Sequence, residues 1–457
     1  MAVNGGGEVE FLALHMFHSD IKTVEEAKAS DQYLDLLSVY ASLHINESIL
    51  TPFQTGQILL NDSNDILPDY PIAGGNIFHF VYNLFDGPAE TEIDVWFRVV
   101  SVKNIVINER KQGYTLQLIS EDGWKNMHTC LQSAFKGEPS EIIEEIYTEH
   151  LNVGDKQLIV DKSLGNLKFV CPHWRPSQAI KWVEGKALSP ENDMPSFFFY
   201  ETMKGFRFIS TDTLLDKEKN IVITDLMAQV ETERPGGAIR KGFLYKIPGI
   251  PVQGSDGRPQ SGTTGTESAQ NVDDFRILER QPIGKDIIDG FIANKHITVD
   301  IFNKELITEE FYYHDDFGKF KRLASKKHYD APREPIPTDL RITMSPKHEK
   351  LHTEGGTGDR TLYADDYGPW RRHITKQISD EVIDNFEVPG APIIEAGRLL
   401  EFNYPAVRKV DDPSRVYNEK YSGLYIIRDV VHTFRPVVNT TTSYKVDMNI
   451  VKDGWNE

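Results

Sequence analysis

Cysteine is almost missing from this chain. Two thiols, Cys130 and Cys171, stand among 457 residues, too few for a disulfide framework. Each is expected to be a small buried hydrophobe in a reducing compartment. Long apolar runs are missing as well. No stretch approaches the ~20 consecutive apolar residues that a membrane helix needs, so no membrane segment is expected. The opening MAVNGGGEVEF has neither the basic nor the apolar part of a signal peptide. The chain is therefore expected to be made and folded in a cytoplasm. Positive charge is in deficit too. Lys and Arg number 50 against 69 Asp and Glu, a formal charge of −19. Nucleic-acid binders ordinarily show the reverse balance, because phosphate contacts need Lys and Arg. No specific nucleic-acid binding is expected.

What remains is the composition of a globular protein, 39% hydrophobic and 26% charged. At roughly 100–200 residues per domain, the length allows about two to four domains. Tyr and Phe, 18 and 24 of them, supply several cores and interfaces.

The first 120 residues read as strands and turns. Ser48 to Ser63 holds a Pro-x-x-x-Gly break between two apolar stretches, and Ile72 to Tyr82 turns β-rich after Gly74-Gly75. Val95, Phe97 and Val99 alternate, as do Tyr114, Leu116 and Leu118. Period-two patterning between Gly turns predicts an antiparallel sheet or small barrel. A short helix fits Thr23 to Ala29, while 30–43 fits either type.

From Asp122 the period changes to three and four. Trp124, Met127, Cys130 or Leu131, and Phe135 predict one helix over 122–135. Pro139 to Leu151 predicts a second, opened by Pro and early Glu, with Ile142, Ile143 and Ile146 on its apolar face. A third fits Pro176 to Leu188. Ser196-Phe-Phe-Phe-Tyr-Glu201, a Met-Lys-Gly turn and Phe206 to Ser210 form a hairpin. Residues 121–210 thus read as a small α/β unit inserted after the first β unit.

Residues 231–275 carry few large apolar side chains and are expected to be a mobile loop. Strands resume near Ile297–Phe302 and Glu309–Tyr313. After a second Pro-, Gly- and charge-rich stretch at 330–365, a helix is expected over Trp370 to Phe386. The C-terminus returns to strands at Arg398–Asn403 and Tyr421–Phe434. Tyr444, Val446, Met448 and Ile450 then alternate with polar residues, as in a half-buried strand.

One string invites an enzymatic reading. His348-Glu-Lys-Leu-His352 places two His at i, i+4 around a Glu, as a zinc peptidase needs. Its surroundings oppose that reading. Pro346 precedes it, Thr353-Glu-Gly-Gly follows, and Leu351 is its one apolar residue. A ligand pair needs a rigid, supported helix, and this segment reads as a solvated loop. His314-Asp-Asp reads as a charged loop after a strand, Cys171-Pro-His173 as a strand end, and Glu144-Glu145 as a solvated helix face. The Gly residues at 236, 237, 254 and 257 form no phosphate loop. Arg240, Lys241 and Lys246 are too few for a nucleic-acid patch. No catalytic, cofactor-binding or metal-ligating residue is therefore nominated, and no cofactor is expected.

The order of elements from Ile142 to Leu214 carries a resemblance. A helix ends at Asn152-Val-Gly; Lys168-Phe-Val, Pro172 to Trp174, Pro176 and Ile180-Lys-Trp-Val follow; then come Ser196 to Ser210 and Leu214-Leu215. This succession resembles the baseplate hub proteins of contractile-tailed bacteriophages, the phage D-type tail protein and the N-terminal part of the VgrG spike. The Ser48–Ser63 and Val430–Asp453 stretches are similar to hub termini. The resemblance implies an α+β, mainly β fold: two small antiparallel, tube-type β-barrels with an inserted α/β domain. Mapped here, 1–120 is the first barrel and 121–215 the insertion. The second barrel takes 216–330 and 396–457, and 331–395 is an extended arm with a helix.

The same resemblance implies a virion structural protein, not an enzyme, assembled in the host cytoplasm. Three copies would close a ring of six barrels and adapt a threefold spike to a sixfold tail tube. The implied partners are the other copies of a homotrimer, the spike protein, a tail tube or tube-initiator protein, a tape measure protein and baseplate wedge proteins. During DNA ejection an acidic channel would repel phosphate over about one Debye length, ~8–10 Å. The alternative expectation is a zinc-dependent peptidase using His348, Glu349 and His352.

Overall fold

The structure is a computed structural model. It describes residues 8–63, 66, 70, 72, 74–84, 92–108, 111–153, 156–223, 274–277, 283–328, 334–347, 367–379, 382–402, 422–437 and 442–455. The expected loop at 231–275 lies outside the described residues except for 274–275. His348, Glu349, His352, Arg240, Lys241 and Lys246 lie outside them as well.

The N-terminal residues form β1 (Glu8–Phe17), α1 (Val24–Lys28), β2 (Tyr33–Asp35), β3 (Tyr40–Ser48), β4 (Thr55–Asp62), β5 (Ile77–Leu84), β6 (Ile93–Asn108) and β7 (Lys111–Ser120). The period-two pattern explains them. In β4 exposed and buried residues alternate without a break, with Gly56, Ile58, Leu60 and Asp62 inward. Helix α1 is started by a capping box between Thr23 and Glu26.

The insertion comprises α2 (Glu121–His128), β8 (Ala134–Gly137), α3 (Pro139–His150), β9 (Leu158–Val160), β10 (Leu167–Val170), α4 (Pro176–Glu184), β11 (Phe197–Thr202), β12 (Gly205–Ser210) and α5 (Thr211–Leu214). Its core gathers Ile142, Ile143 and Ile146 of α3, Ile180 and Val183 of α4, and Phe206 and Phe208 of β12. Pro139 and Pro176 open α3 and α4, where the missing N–H costs nothing. The helix expected over 122–135 stops at His128. Met127 and Cys130 are exposed, and the buried residues of α2 are Glu121, Asp122, Gly123 and Asn126. The apolar spacing misleads because the buried polar side chains are paired inside. Of the two thiols, Cys171 is buried and Cys130 is not.

The last part holds β13 (Asp274–Ile277), α6 (Ile283–Asp289), β14 (Ala293–Asp300), β15 (Glu305–Tyr312), α7 (Tyr313–Asp316), β16 (Ile342–Pro346), α8 (Gly368–Ser379), β17 (Val382–Pro389), β18 (Leu399–Phe402), β19 (Gly423–Pro436) and β20 (Thr442–Val451). The helix expected over 370–386 ends at Ser379, and β17 follows. Its run Val-Ile-Asp-Asn-Phe-Glu-Val suits a strand, and β17 pairs with both β13 and β20. The stretch expected as an extended arm thus contributes β17 to the main sheet and β16 to a smaller one.

Twelve strands form the main sheet. Its antiparallel pairings run β1, β5, β6, β7, β4, β3, β19, β20 and back to β1, a hydrogen-bonded circuit. Strands from both ends of the chain therefore share one sheet. The long strands β19 and β20 make the join. From Asp429 to Phe434, β19 lies on β3, whereas Gly423 to Ile426 lie on β18. An irregularity between Ile427 and Asp429 separates the two stretches, where an extra residue re-aims the strand. At the centre, Phe434 stacks on Tyr444 with ring centroids 4.6 Å apart, and Phe11 and Tyr82 lie against Phe434. One core cluster accordingly holds Leu43, Ile58 and Leu116 together with Val430, Val446 and Ile450. No helix among the described residues is long and apolar enough to cross a membrane.

Candidate functional site

Strand β11 lies between two cores, which is why all six of its residues are buried. Phe197 and Phe199 join the insertion core, and Phe198 and Tyr200 join the main one. The strand then brings Glu201 to the boundary between them. Glu47 of β3 and Glu395, just before β18, are also buried there. Each carboxylate belongs to a different part of the chain, and each is held largely by the other parts.

Glu47 Oε1 accepts the Met203 backbone N–H at 2.7 Å and the Gln54 side-chain amide at 2.9 Å. Its Oε2 accepts the Ala396 N–H at 3.2 Å. His432 Nε2 stands 3.6 Å from Oε1, and the other ring nitrogen of His432 meets the Tyr444 hydroxyl at 2.8 Å. Glu201 accepts the Gln54 backbone N–H at 2.9 Å, the Ser120 hydroxyl at 2.6 Å and the Lys156 ammonium. Glu395 accepts Arg207 at 2.6 Å and Arg398 at 3.1 Å, and pairs with Lys204 at 2.7 Å. Gly397 completes the joint. Its φ is +84°, and a Cβ there would overlap the Tyr200 hydroxyl.

The electrostatics follow from this geometry. Burial pushes the Glu201 carboxyl up, against the pull of Lys156. Burial also raises Asp122 of α2, again opposed by Lys156; Asp122 Oδ1 accepts the Val153 N–H at 2.9 Å. For Glu395, burial acts upward but Arg398, Lys204 and Arg207 outweigh it, so its carboxyl sits below the usual range. Buried charge is tolerated only when paired and hydrogen-bonded. Here the pairing ties three sequence-distant segments to one another. The carboxylates are engaged by protein donors, an arrangement suited to fixing the relative position of the parts.

Two smaller clasps extend the theme. Arg98 Nε meets Glu121 at 2.7 Å, while its Nη atoms donate to the carbonyls of Gly75 and Lys22 at 2.9 and 2.7 Å. Asp453, past β20, accepts the N–H groups of Leu323 and Ala324 at 2.7 and 2.8 Å.

The motifs weighed in the sequence do not come together. The Cys171 thiol is pushed up by burial, the opposite of an activated nucleophile. His173, two residues on, meets Gln132 instead. His314 sits in α7, and Glu144 and Glu145 are exposed on α3. Among the described residues no group of three or more His, Cys, Asp or Glu is placed to hold a metal. The joint residues were not singled out in the sequence. One signal was present: Glu47 follows Leu43 and Ile45 in the inward register of β3, and a carboxylate in an apolar phase marks a buried pairing.

No family model matches the chain. A curated relative does, and it comes from the baseplate hub proteins of phage tails, to which this chain is similar. That relative is the probable baseplate hub protein gp334 of Vibrio phage KVP40, 22% identical over 306 residues, which cover 64% of this chain. The match spans 62% of the relative's own length. Among solved structures, the 43 kDa tail protein of prophage MuSo2 from Shewanella oneidensis aligns over 98% of this chain and 99% of its own, at 8% identity and a TM-score of 0.49. The tail protein from Neisseria meningitidis MC58 aligns over 97% of both chains, at 10% identity and a TM-score of 0.49. The comparisons lend the zinc-peptidase expectation no support.

Proposed function

We propose that this chain is a structural hub of a contractile phage tail. Three copies would form a ring that adapts a threefold spike to a sixfold tail tube and lines the DNA channel. The carrying observation is the relation to a baseplate hub protein. The fold supports it in two ways. The strand circuit and the strands β17 and β18 continuing from it suit two tube-type barrels that share β19 and β20. The three-carboxylate joint suits a part that must transmit load without flexing.

In this reading 1–120 is the first barrel, 216–330 with 396–457 the second, 121–215 the insertion between them and 331–395 an arm that lends β17 to the main sheet. The partners are the other copies, a spike, a tube or tube-initiator protein, a tape measure protein and wedge proteins. The chain works in the virion tail after assembly in the host cytoplasm, with no catalytic role. Its net charge of −19 keeps passing DNA from adhering. Imaging of the purified chain and of tail particles tests the proposal. A threefold ring at the spike end of the tube is expected; a chain that never enters tail particles refutes it.

A further inference from the structure

Helix α8 is cationic on an acidic molecule. It carries Arg371, Arg372 and Lys376 and no Asp or Glu, while the chain as a whole carries −19. Two of these cations are engaged inside the protein. Lys376 meets Asp289 of α6 at 2.8 Å. Arg371 donates to the Gly185 carbonyl and lies within electrostatic reach of buried Glu184.

Arg372 differs from both. It is half-buried, and its Nη1 is shut off from solvent without a hydrogen-bond acceptor. Burial pushes its guanidinium down, and the charge that acts on it, Arg341, pushes the same way. Arg341 is itself exposed. Among the described residues neither arginine has an ion-pair partner. The backbone holds the two together. Arg341 lies over Gly290, where a Cβ would come within 2.7 Å of its Cγ. Asn294 ties Gly290 to the start of α8, donating to the Gly290 carbonyl at 2.9 Å and the Pro369 carbonyl at 3.3 Å.

The anions of the neighbourhood are otherwise occupied. Lys376 chiefly holds the Asp289 carboxyl down, with Lys285 and Arg341 helping against burial. Glu310 pairs with Lys295 at 2.7 Å, and Asp339 acts on the same lysine. Asp286 is buried in α6 and is no part of the charge acting on Arg372.

Buried donors ordinarily have acceptors, and a buried charge without a counter-charge destabilises the chain that holds it. A carboxylate from outside corrects both faults, because it accepts from guanidinium in a bidentate fork. Ile288, two residues before Gly290, and Leu340, beside Arg341, are 71% and 56% exposed. Arginine next to exposed apolar side chains is the composition of a protein interface. Nucleic acid fits less well, since it needs cations in rows and is repelled by the surrounding charge. A second copy would bring a further −19 against this one.

We infer that Arg341 and Arg372 receive carboxylates from an acidic segment of a different protein. The inference stands apart from the ring reading, because local charge and geometry carry it.

The test uses the full chain and a fluorescein-labelled hexaglutamate peptide, read by fluorescence anisotropy at low salt. Wild type is expected to bind it, and Arg341→Gln combined with Arg372→Met to weaken binding by about tenfold or more. Lys103→Gln, at an exposed cation on β6, is expected to change nothing. A wild type that binds no peptide overturns the inference, as does equal binding by the double variant. Inorganic phosphate that displaces the peptide at the peptide's own concentration overturns it in favour of a free anion. A DNA duplex bound more tightly than the peptide overturns it in favour of nucleic acid. A smaller oligomeric mass for the double variant, by light scattering, overturns it in favour of a second copy. Melting of Arg372→Met, which keeps the aliphatic stem, separates a merely structural role. Without peptide the variant is expected to melt at or above the wild-type temperature, because an unpaired charge is gone. A lower melting temperature shows that the guanidinium holds the fold, and overturns the inference.

Discussion

The Met203 amide, in the turn between β11 and β12, donates to Glu47 Oε1 on β3 across 2.7 Å and 156 positions of sequence. This bond fastens the β11–β12 hairpin directly to the main sheet. Glu47 also holds Gln54 and the Ala396 amide, so three segments meet on one side chain.

Glu47→Gln tests that fastening. The substitution keeps the shape but turns one acceptor into an NH2 facing N–H donors. Two donors facing one another in a buried site leave both unsatisfied, at about 1–3 kcal/mol each. Chemical denaturation is expected to show a loss of about 2–4 kcal/mol for Glu47→Gln. A loss below about 0.5 kcal/mol would mean that the joint contributes little to holding the parts together.

Gly397 makes a separate prediction. Its φ of +84° disfavours any Cβ, and the Tyr200 hydroxyl occupies the space a Cβ would take. Gly397→Ala is expected to cost about 2–4 kcal/mol through backbone strain and overpacking together. Tyr200→Phe removes the obstructing oxygen. In a double-mutant cycle the pair is therefore expected to cost less than the sum of the singles, by about 1 kcal/mol. Strict additivity would show that the clash with Tyr200 is not what excludes a side chain.

These examples show what was legible in the sequence and what was not. Strand β20 was readable because one face is wetter and one is dry, so polarity follows a period of two. The hairpin of β11 and β12 was readable from its aromatic runs and Gly205 turn. Helix α2 was misread because its inward residues, Glu121, Asp122 and Asn126, are polar and find partners outside the helix: Arg98, the Val153 amide and the Ser177 amide. β17 was misread as helix because its partners β13 and β20 are far away in sequence. The joint left one local trace, Glu47 in the inward phase of β3. Its carboxylates and their donors are brought together by the tertiary fold, and local spacing does not encode them.

Arg98 offers a third test. Its guanidinium is shared among Glu121, Gly75 and Lys22, three acceptors in a planar fork. Lysine keeps the charge but has a compact head that cannot span them. Arg98→Lys is expected to destabilise by about 2–3 kcal/mol, almost as much as removing the charge, because Glu121 is left buried with a poorer partner. Thermal melting of Arg98→Lys beside Arg98→Ala decides it. A melting temperature for the lysine variant equal to wild type would show that charge alone suffices.

The pH dependence of stability separates two sets of buried groups. His328 is pushed down by burial to about 4, and His373, also through burial, well below 6.5. The unfolded chain binds these protons first, so stability falls as pH drops from 6.5 towards 4. Glu395 acts lower. Its folded carboxyl lies below its ordinary 4.5 because Arg398, Lys204 and Arg207 overcome the effect of burial. The stability it contributes is present above 4.5 and is lost as pH falls through the folded value. Glu201 and Asp122 work the other way, since burial raises both; the folded state takes up their protons first, and acidification relieves them. Glu395→Gln removes one contributor and leaves the others. In urea titrations from pH 7 to pH 3, the variant is expected to be less stable than wild type at neutrality. The two curves should run parallel from 6.5 to 4.5 and converge below 4.5, where wild type alone loses the Glu395 contribution. Curves that stay parallel down to pH 3 would show that Glu395 does not draw its charge stabilisation from the three cations around it.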